Sequence, residues 1–213
     1  MPGVTRRLRS GARLRDARPM LRPLLLTLLL AAPVAAQPAA PPTAPATRTP
    51  AEARKAELDR LFDALRTAPD TAGGQLVESR IRALWGQAVS PAAALLLRRG
   101  ARNLQSNEPA EALEDFDAAL TLEPGAAEPW LLRARALSRL GDRAAAARDI
   151  QEALRLEPRH FGALLVLSEL QEESGDLGGA LRSLDAALAL HPKMPGGTER
   201  RRDLARRAEG DAL

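Results

Sequence analysis

Apolar residues recur with helical spacing from Ala51 onward. In AEARKAELDRLFDALRTA, Leu58, Leu61, Phe62 and Leu65 stand at i, i+3, i+4 and i+7, which puts them in one stripe on a helix face. Pro69 to Gly74 interrupts that stripe, and a second helix is predicted at about 75–87 with Leu76, Ile81, Leu84 and Trp85. Ser90–Pro91 stops it and opens the next, since proline suits the first turn of a helix. Six further helices are predicted at about 92–105, 109–122, 126–139, 143–156, 160–173 and 177–190. Asn107, Gly141 and Gly175 sit in the short turns between the members of each pair and tolerate the left-handed backbone that ends a helix. Asp142 and Asp176 follow as N-caps. Pro124, Pro158 and Pro192 close the second helix of each pair, because proline disfavours helical geometry in the residue before it.

Those three prolines are spaced 34 residues apart, and other positions keep the same register: Ala112, Ala146 and Ala180, then Ala119, Ala153 and Ala187, then Leu120, Leu154 and Leu188. A fixed period of this length marks an array of stacked supersecondary units. The small residues imply close helix–helix approach, with Gly100 and Ala134 as their counterparts on the first helix of a pair. The expected fold is therefore all-α, a right-handed α-solenoid of about eight helices. Residues 51–90 lack the signature alanines and read as a divergent helical hairpin capping the N-terminal end. Beyond Pro192, residues 195–213 are predicted to form a capping helix, about 198–208, with mixed charge and Leu204 as its one apolar interior residue.

With those residues in hand, the array resembles the tetratricopeptide repeat, whose pattern is W-x2-L-G-x2-Y, then A-x3-F, then P. The second repeat supplies Trp130, Ala134, Leu137, Ala146, Ile150 and Pro158. The first supplies Leu96, Gly100, Ala112, Phe116 and Pro124, and the third Leu164, Leu167, Ala180, Leu184 and Pro192. Arg99 and Arg133 depart from the usual Leu, and Asn103 and Gln171 from the usual Tyr, which suggests looser packing. The resemblance covers residues 93–192 as repeats 93–126, 127–160 and 161–194. The order of an N-terminal apolar segment, LDRLFDALRTAPD, SPAAALLLRRG and EPRHFGAL is also similar to small exported repeat proteins of alphaproteobacteria, and implies location and architecture only.

The resemblance implies an extended groove for a protein or peptide partner. In such arrays the residue after the Trp-like position faces the concave side, here Leu97, Leu131 and Leu165. Further along that face come Ala101, Arg135 and Glu169, then Leu104, Ser138 and Glu172, then Gln105, Arg139 and Glu173. Two readings stand open. Either the leucines form an exposed strip for a partner, or the hairpin or the C-terminal helix covers them while Arg135–Glu169 and Arg139–Glu173 pair internally. The family's clamp for C-terminal carboxylates uses Lys and Asn on this face, and their absence argues against that ligand.

Composition narrows the remaining classes. Arg-rich residues 6–22 precede the apolar run Leu24 to Ala32, followed by small residues at Val34, Ala35 and Ala36. That order predicts a secretory signal peptide at 1–36, cleaved near Ala36, with a periplasmic or secreted product. Met20 offers an alternative start that would leave a more compact signal. Residues 1–36 carry seven Arg and one Asp, so their removal takes the net charge from +4 to −2 and removes the electrostatic argument for nucleic acid. Residues 37–50 hold five prolines and predict an extended tether, which fits a membrane-proximal location. The balance of 29 Arg to two Lys, beside abundant Ala, points to a high-G+C bacterial genome.

There is no Cys and no Tyr, and the two histidines, His160 and His191, have no acidic cluster at ligand spacing. His191, in the slot of Glu123 and Glu157, reads as a loop-surface residue. The sequence thus predicts no catalytic residue, no metal, no cofactor and no small-molecule substrate. It predicts a non-enzymatic interaction scaffold, with a chaperone-like assembly factor for unfolded envelope proteins as the alternative.

Overall fold

The computed structural model describes residues 49–210, and the predicted signal peptide and nearly all of the tether lie outside them. Among the described residues there are nine α-helices and no strands: α1 Pro50–Arg66, α2 Thr71–Gly86, α3 Pro91–Gln105, α4 Pro109–Leu122, α5 Ala127–Arg139, α6 Arg143–Leu156, α7 Phe161–Glu173, α8 Leu177–Leu190 and α9 Gly197–Gly210. The fold is an all-α solenoid of helix pairs. The helices α3 to α8 start and stop within one residue of the predicted positions, because their boundaries are written locally. Asn107, Gly141 and Gly175 all adopt positive φ, at 61°, 86° and 84°. Asp142 and Asp176 accept from the backbone N–H of Ala145 (2.9 Å) and Gly179 (2.8 Å), which satisfies an orphan donor at each helix start.

Within each pair the small residues let the helices close. Ala112, Ala146 and Ala180 are completely buried. A Cβ added to Gly100 would stand 2.5 Å from Cε1 of Phe116, so only glycine admits that ring between α3 and α4. The pairs then stack through α4 on α5 and α6 on α7, and α9 packs on α8 with Leu204 buried against Leu177, Ala180 and Leu184.

The departures from the usual repeat pattern do not loosen the packing. Arg99 donates through Nε to Asp115 Oδ1 (2.7 Å), and Asn103 donates to Asp115 Oδ2 (3.1 Å). Arg133 grips Asp149 with two hydrogen bonds, at 2.7 and 2.8 Å, and also reaches Asp117 at 2.8 Å. Asp115 and Asp149 are buried, so each pair bolts the two helices of its repeat together through a charge-assisted contact. In the third repeat the equivalent positions are Leu167 and Ser183, and Ser183 hydrogen-bonds Gln171 (2.6 Å) instead.

Two corrections concern α1 and α2. Helix α2 begins at Thr71, not near Gln75, because Asp70 caps it through the N–H of Gly73 (2.8 Å). The α1–α2 hairpin also does not cap the first repeat. It lies along the edge formed by the turns between repeats, and α1 packs on α8. Leu58, Phe62, Leu65, Ile81 and Leu84 form one core with Phe161, Leu190 and Met194 of the third repeat. Asp59 pairs with Arg159 at 2.7 Å, and the Arg159 guanidinium sits 4.4 Å above the Phe62 ring. At the other end of the hairpin, Ser90 N–H donates to Glu123 of the first repeat (2.9 Å).

Candidate binding groove

The first helices of the three repeats, α3, α5 and α7, stand side by side and line the concave face. Two adjoining cavities open there, of about 430 and 420 Å³, and share Ala101 and Leu132 in their walls. The first is lined by Leu104, Arg135, Ser138, Arg139, Val166 and Glu169 among others. The second lies toward the hairpin, which contributes Arg82, Gly86 and Val89 to it. The structure therefore brings together most of the polar positions of the predicted groove, and adds a wall from α2 that the repeat pattern does not contain.

The leucine strip is not a strip. Leu131 is completely buried in the core of the second repeat with Ala134, Ile150, Val166 and Leu170, its Cδ2 directly beneath Gly162 of α7. Leu165 is half-buried against the cluster that α8 and α9 form around Leu184 and Leu204. Only Leu97, 8% exposed, touches the groove. One residue along an α-helix turns the side chain by about 100°. That step separates Leu131, which points between α5 and α7, from Leu132, which lines both cavities. Leu132 is the apolar groove residue the repeat register missed.

The predicted internal ion pairs do not form either. Glu169 pairs with Arg200 of α9 at 3.0 Å, and Arg200 also holds Glu172 at 3.0 Å. Arg207 takes the other oxygen of Glu172. Burial acts to raise the Glu172 carboxyl, but the hydrogen bonds from Arg207 and Arg200 outweigh it and leave it below the ordinary value. Glu173 goes to Arg143 at 2.9 Å. Arg139 donates to the carbonyl of Leu104 at 2.7 Å. Arg135, half-buried, makes no hydrogen bond among the described residues, and burial holds its guanidinium below the ordinary Arg value against the pull of Glu128 and Glu169.

The histidines are buried under the hairpin, so His191 is not a loop-surface residue. His191 Nε2 lies 3.2 Å from Glu78 of α2, and its ring meets Phe161 edge-on. A Cβ on Gly74 would fall 2.8 Å from His191 Cε1, which accounts for a glycine inside α2. His160 caps α7 and stacks on Trp85 with ring centroids 4.2 Å apart. Its Nε2 lies 3.0 Å from Glu128, at the groove's edge. The His191 hydrogen bond holds the Glu78 carboxyl below its ordinary value of 4.5. Burial pushes Glu128 up, but the hydrogen bond and charge of His160, with Arg82 and Arg135, bring it lower still. Among the described residues no cluster of three acidic, His or Cys side chains is placed to hold a metal.

The pattern of the tetratricopeptide repeat family matches residues 131–195. Those residues therefore carry the tetratricopeptide pattern. Solved structures of such arrays superpose on this one. The first tetratricopeptide domain of Spaghetti (RPAP3), bound to the HSP90 peptide SRMEEVD, is 21% identical with a TM-score of 0.53 over 56% of this chain and 95% of its own. The Sgt2 tetratricopeptide domain from Aspergillus fumigatus is 21% identical with a TM-score of 0.55, over 58% of this chain and 83% of that one. The Yersinia enterocolitica type III secretion translocator chaperone SycD is 18% identical with a TM-score of 0.50, over 57% and 92%. At these identities the likeness establishes the fold. No curated protein matches the chain by sequence.

Proposed function

We propose that this protein is an exported, non-enzymatic interaction module that holds a peptide or helix of a partner protein in the concave groove of its tetratricopeptide repeats. The observation that carries the reading is the pair of adjoining cavities across α3, α5 and α7, walled on one side by the hairpin and mixing apolar Leu132 and Leu104 with Arg135 and Arg139. Concave, mainly preformed surfaces with a few placed polar groups are where partner segments dock. The first domain of RPAP3 holds a peptide, which supports the same use here. Export is supported by the pattern of residues 1–36, and a periplasmic location would follow from it.

The test is Ala101→Trp, which fills the junction of the two cavities and leaves every buried core side chain unsubstituted. Partner capture by the full protein should fall while its melting temperature stays put. Unchanged capture would remove the groove from the function. A chaperone-like factor for unfolded envelope proteins is distinguished by adding an excess of generic unfolded polypeptide. A dedicated scaffold keeps its partner, and a chaperone loses it. Cell fractionation and N-terminal mapping test export, and a protein retained in the cytoplasm at full precursor length would overturn that part.

A further inference from the structure

The side chains that neutralise the groove's acids leave its cations over. Glu169 and Glu172 are tied to Arg200, Glu172 also to Arg207 and Glu173 to Arg143, while Glu128 lies within hydrogen-bond distance of His160 at the groove's edge. Among the described residues Arg135 makes no direct ion pair, Glu128 and Glu169 acting on it only through their charge, and Arg139 spends one N–H on a neutral carbonyl. Arg98, exposed, adds a further cation at the mouth of the second cavity. We propose that the segment this groove selects is acidic, seated with a side-chain carboxylate on Arg135 and its apolar residues on Leu132 and Leu104. The proposal rests on the groove reading above and supplies the chemistry of its occupant.

Folding has already taken Arg135 partly out of water without giving it a hydrogen-bonded anion among the described residues. An arriving carboxylate therefore meets a cation whose desolvation lies behind it, and a guanidinium presents a planar fork that a carboxylate can engage with two parallel hydrogen bonds. A basic segment would face Arg135, Arg139 and Arg98 with its carboxylate competitors locked onto α9 and α6. Helix α9 thus does more than cover α8: its Arg200 holds Glu169, which shares a cavity wall with Arg135, away from a direct pair with it.

The test uses the full protein and two fluorescent amphipathic peptides that share their apolar residues. One carries Glu at every polar position and the other carries Lys. Fluorescence anisotropy should show the Glu peptide binding, more weakly as salt rises, and the Lys peptide not binding. Arg135→Ala should weaken the Glu peptide about ten- to a hundredfold, the range for a charged hydrogen-bonding partner removed from a partly buried site. Arg148→Ala, on the exposed face of α6, should leave it unchanged. Arg200→Ala should weaken it too, by releasing Glu169 toward Arg135, with Arg200→Lys restoring it in part. Equal binding of both peptides, lost in Ala101→Trp, overturns the acidic occupant and keeps the groove. Binding of the Glu peptide unaltered by both Ala101→Trp and Arg135→Ala overturns the site itself, and binding of neither peptide overturns the proposal.

Discussion

The second and third repeats share a template and live in different surroundings. Each has a buried alanine at the helix crossing, Ala146 or Ala180, and the same aspartate-capped second helix. Yet the second repeat is bolted internally by Arg133–Asp149 and presents its first helix to the groove. The third lacks that ion pair and is clad on two sides, by the hairpin over Phe161, His160 and His191 and by α9 over Leu184. Where the template supplies its own electrostatic bolt the repeat can stay open. Where it does not, the flanking helices bind it, and one of them, α9, also takes up its groove carboxylates Glu169 and Glu172.

If that contrast is right, the largest effect belongs to the seam. Phe161→Ala removes the ring at the centre of the hairpin core, and urea denaturation should show a loss of about 3–5 kcal/mol with the hairpin freed. The equivalent position in the second repeat is already Ala127. A loss confined to well under that range would show that the hairpin rests on the array without stabilising it.

Next come the bolts. Asp149→Ala removes two of the three hydrogen bonds that hold the Arg133 guanidinium, leaving only Asp117, and should cost about 1.5–3 kcal/mol. Ser183→Ala in the third repeat removes a neutral hydrogen bond and should cost about 0.5–1.5 kcal/mol. Equal losses would erase the distinction between the two repeats. Template equality is checked by Ala146→Leu and Ala180→Leu, each an overpacking of about 1–3 kcal/mol, while Ala144→Leu, exposed on α6, should stay within about 0.5 kcal/mol.

The smallest effect is acid release of the seam. Glu78 and Glu128 have folded-state values below the ordinary 4.5, Glu78 chiefly through His191. A depressed carboxyl contributes stability that is fully present above 4.5 and is lost as pH falls through the folded value. Trp85 fluorescence, read in a Trp130→Phe background, should therefore report loosening of the hairpin only below that pH. Glu78→Gln should flatten the acid limb, and an unchanged limb would remove this carboxyl from the seam's stability.

How far each feature was legible follows from the distance over which its cause acts. The helix boundaries, positive-φ turns, N-caps and alanine crossings depend on residues within one helix pair, and a 34-residue period repeats them three times. Arg99 and Arg133 could also have been read correctly, since each stands 16 residues before an aspartate, Asp115 or Asp149, in the same repeat. No comparable signal announced His191 and Glu78, which lie 113 residues apart. The leucines misled for a finer reason: neighbouring positions on α5 differ by a third of a turn, and only the packing of α7 against α5 decides that Leu131 goes inward while Leu132 faces the groove.

By itself, then, the sequence determined a stack of helix pairs with a 34-residue period, because periodic apolar burial and local backbone chemistry suffice to build each pair and to place the next upon it. The tertiary structure alone decided where the hairpin lies and which groove charges are left unpaired. Both depend on the choice of partner among many chemically equivalent surfaces: 29 arginines could serve any of the acids, and only the folded geometry puts Arg200 beside Glu169 and leaves Arg135 without a direct ion pair among the described residues.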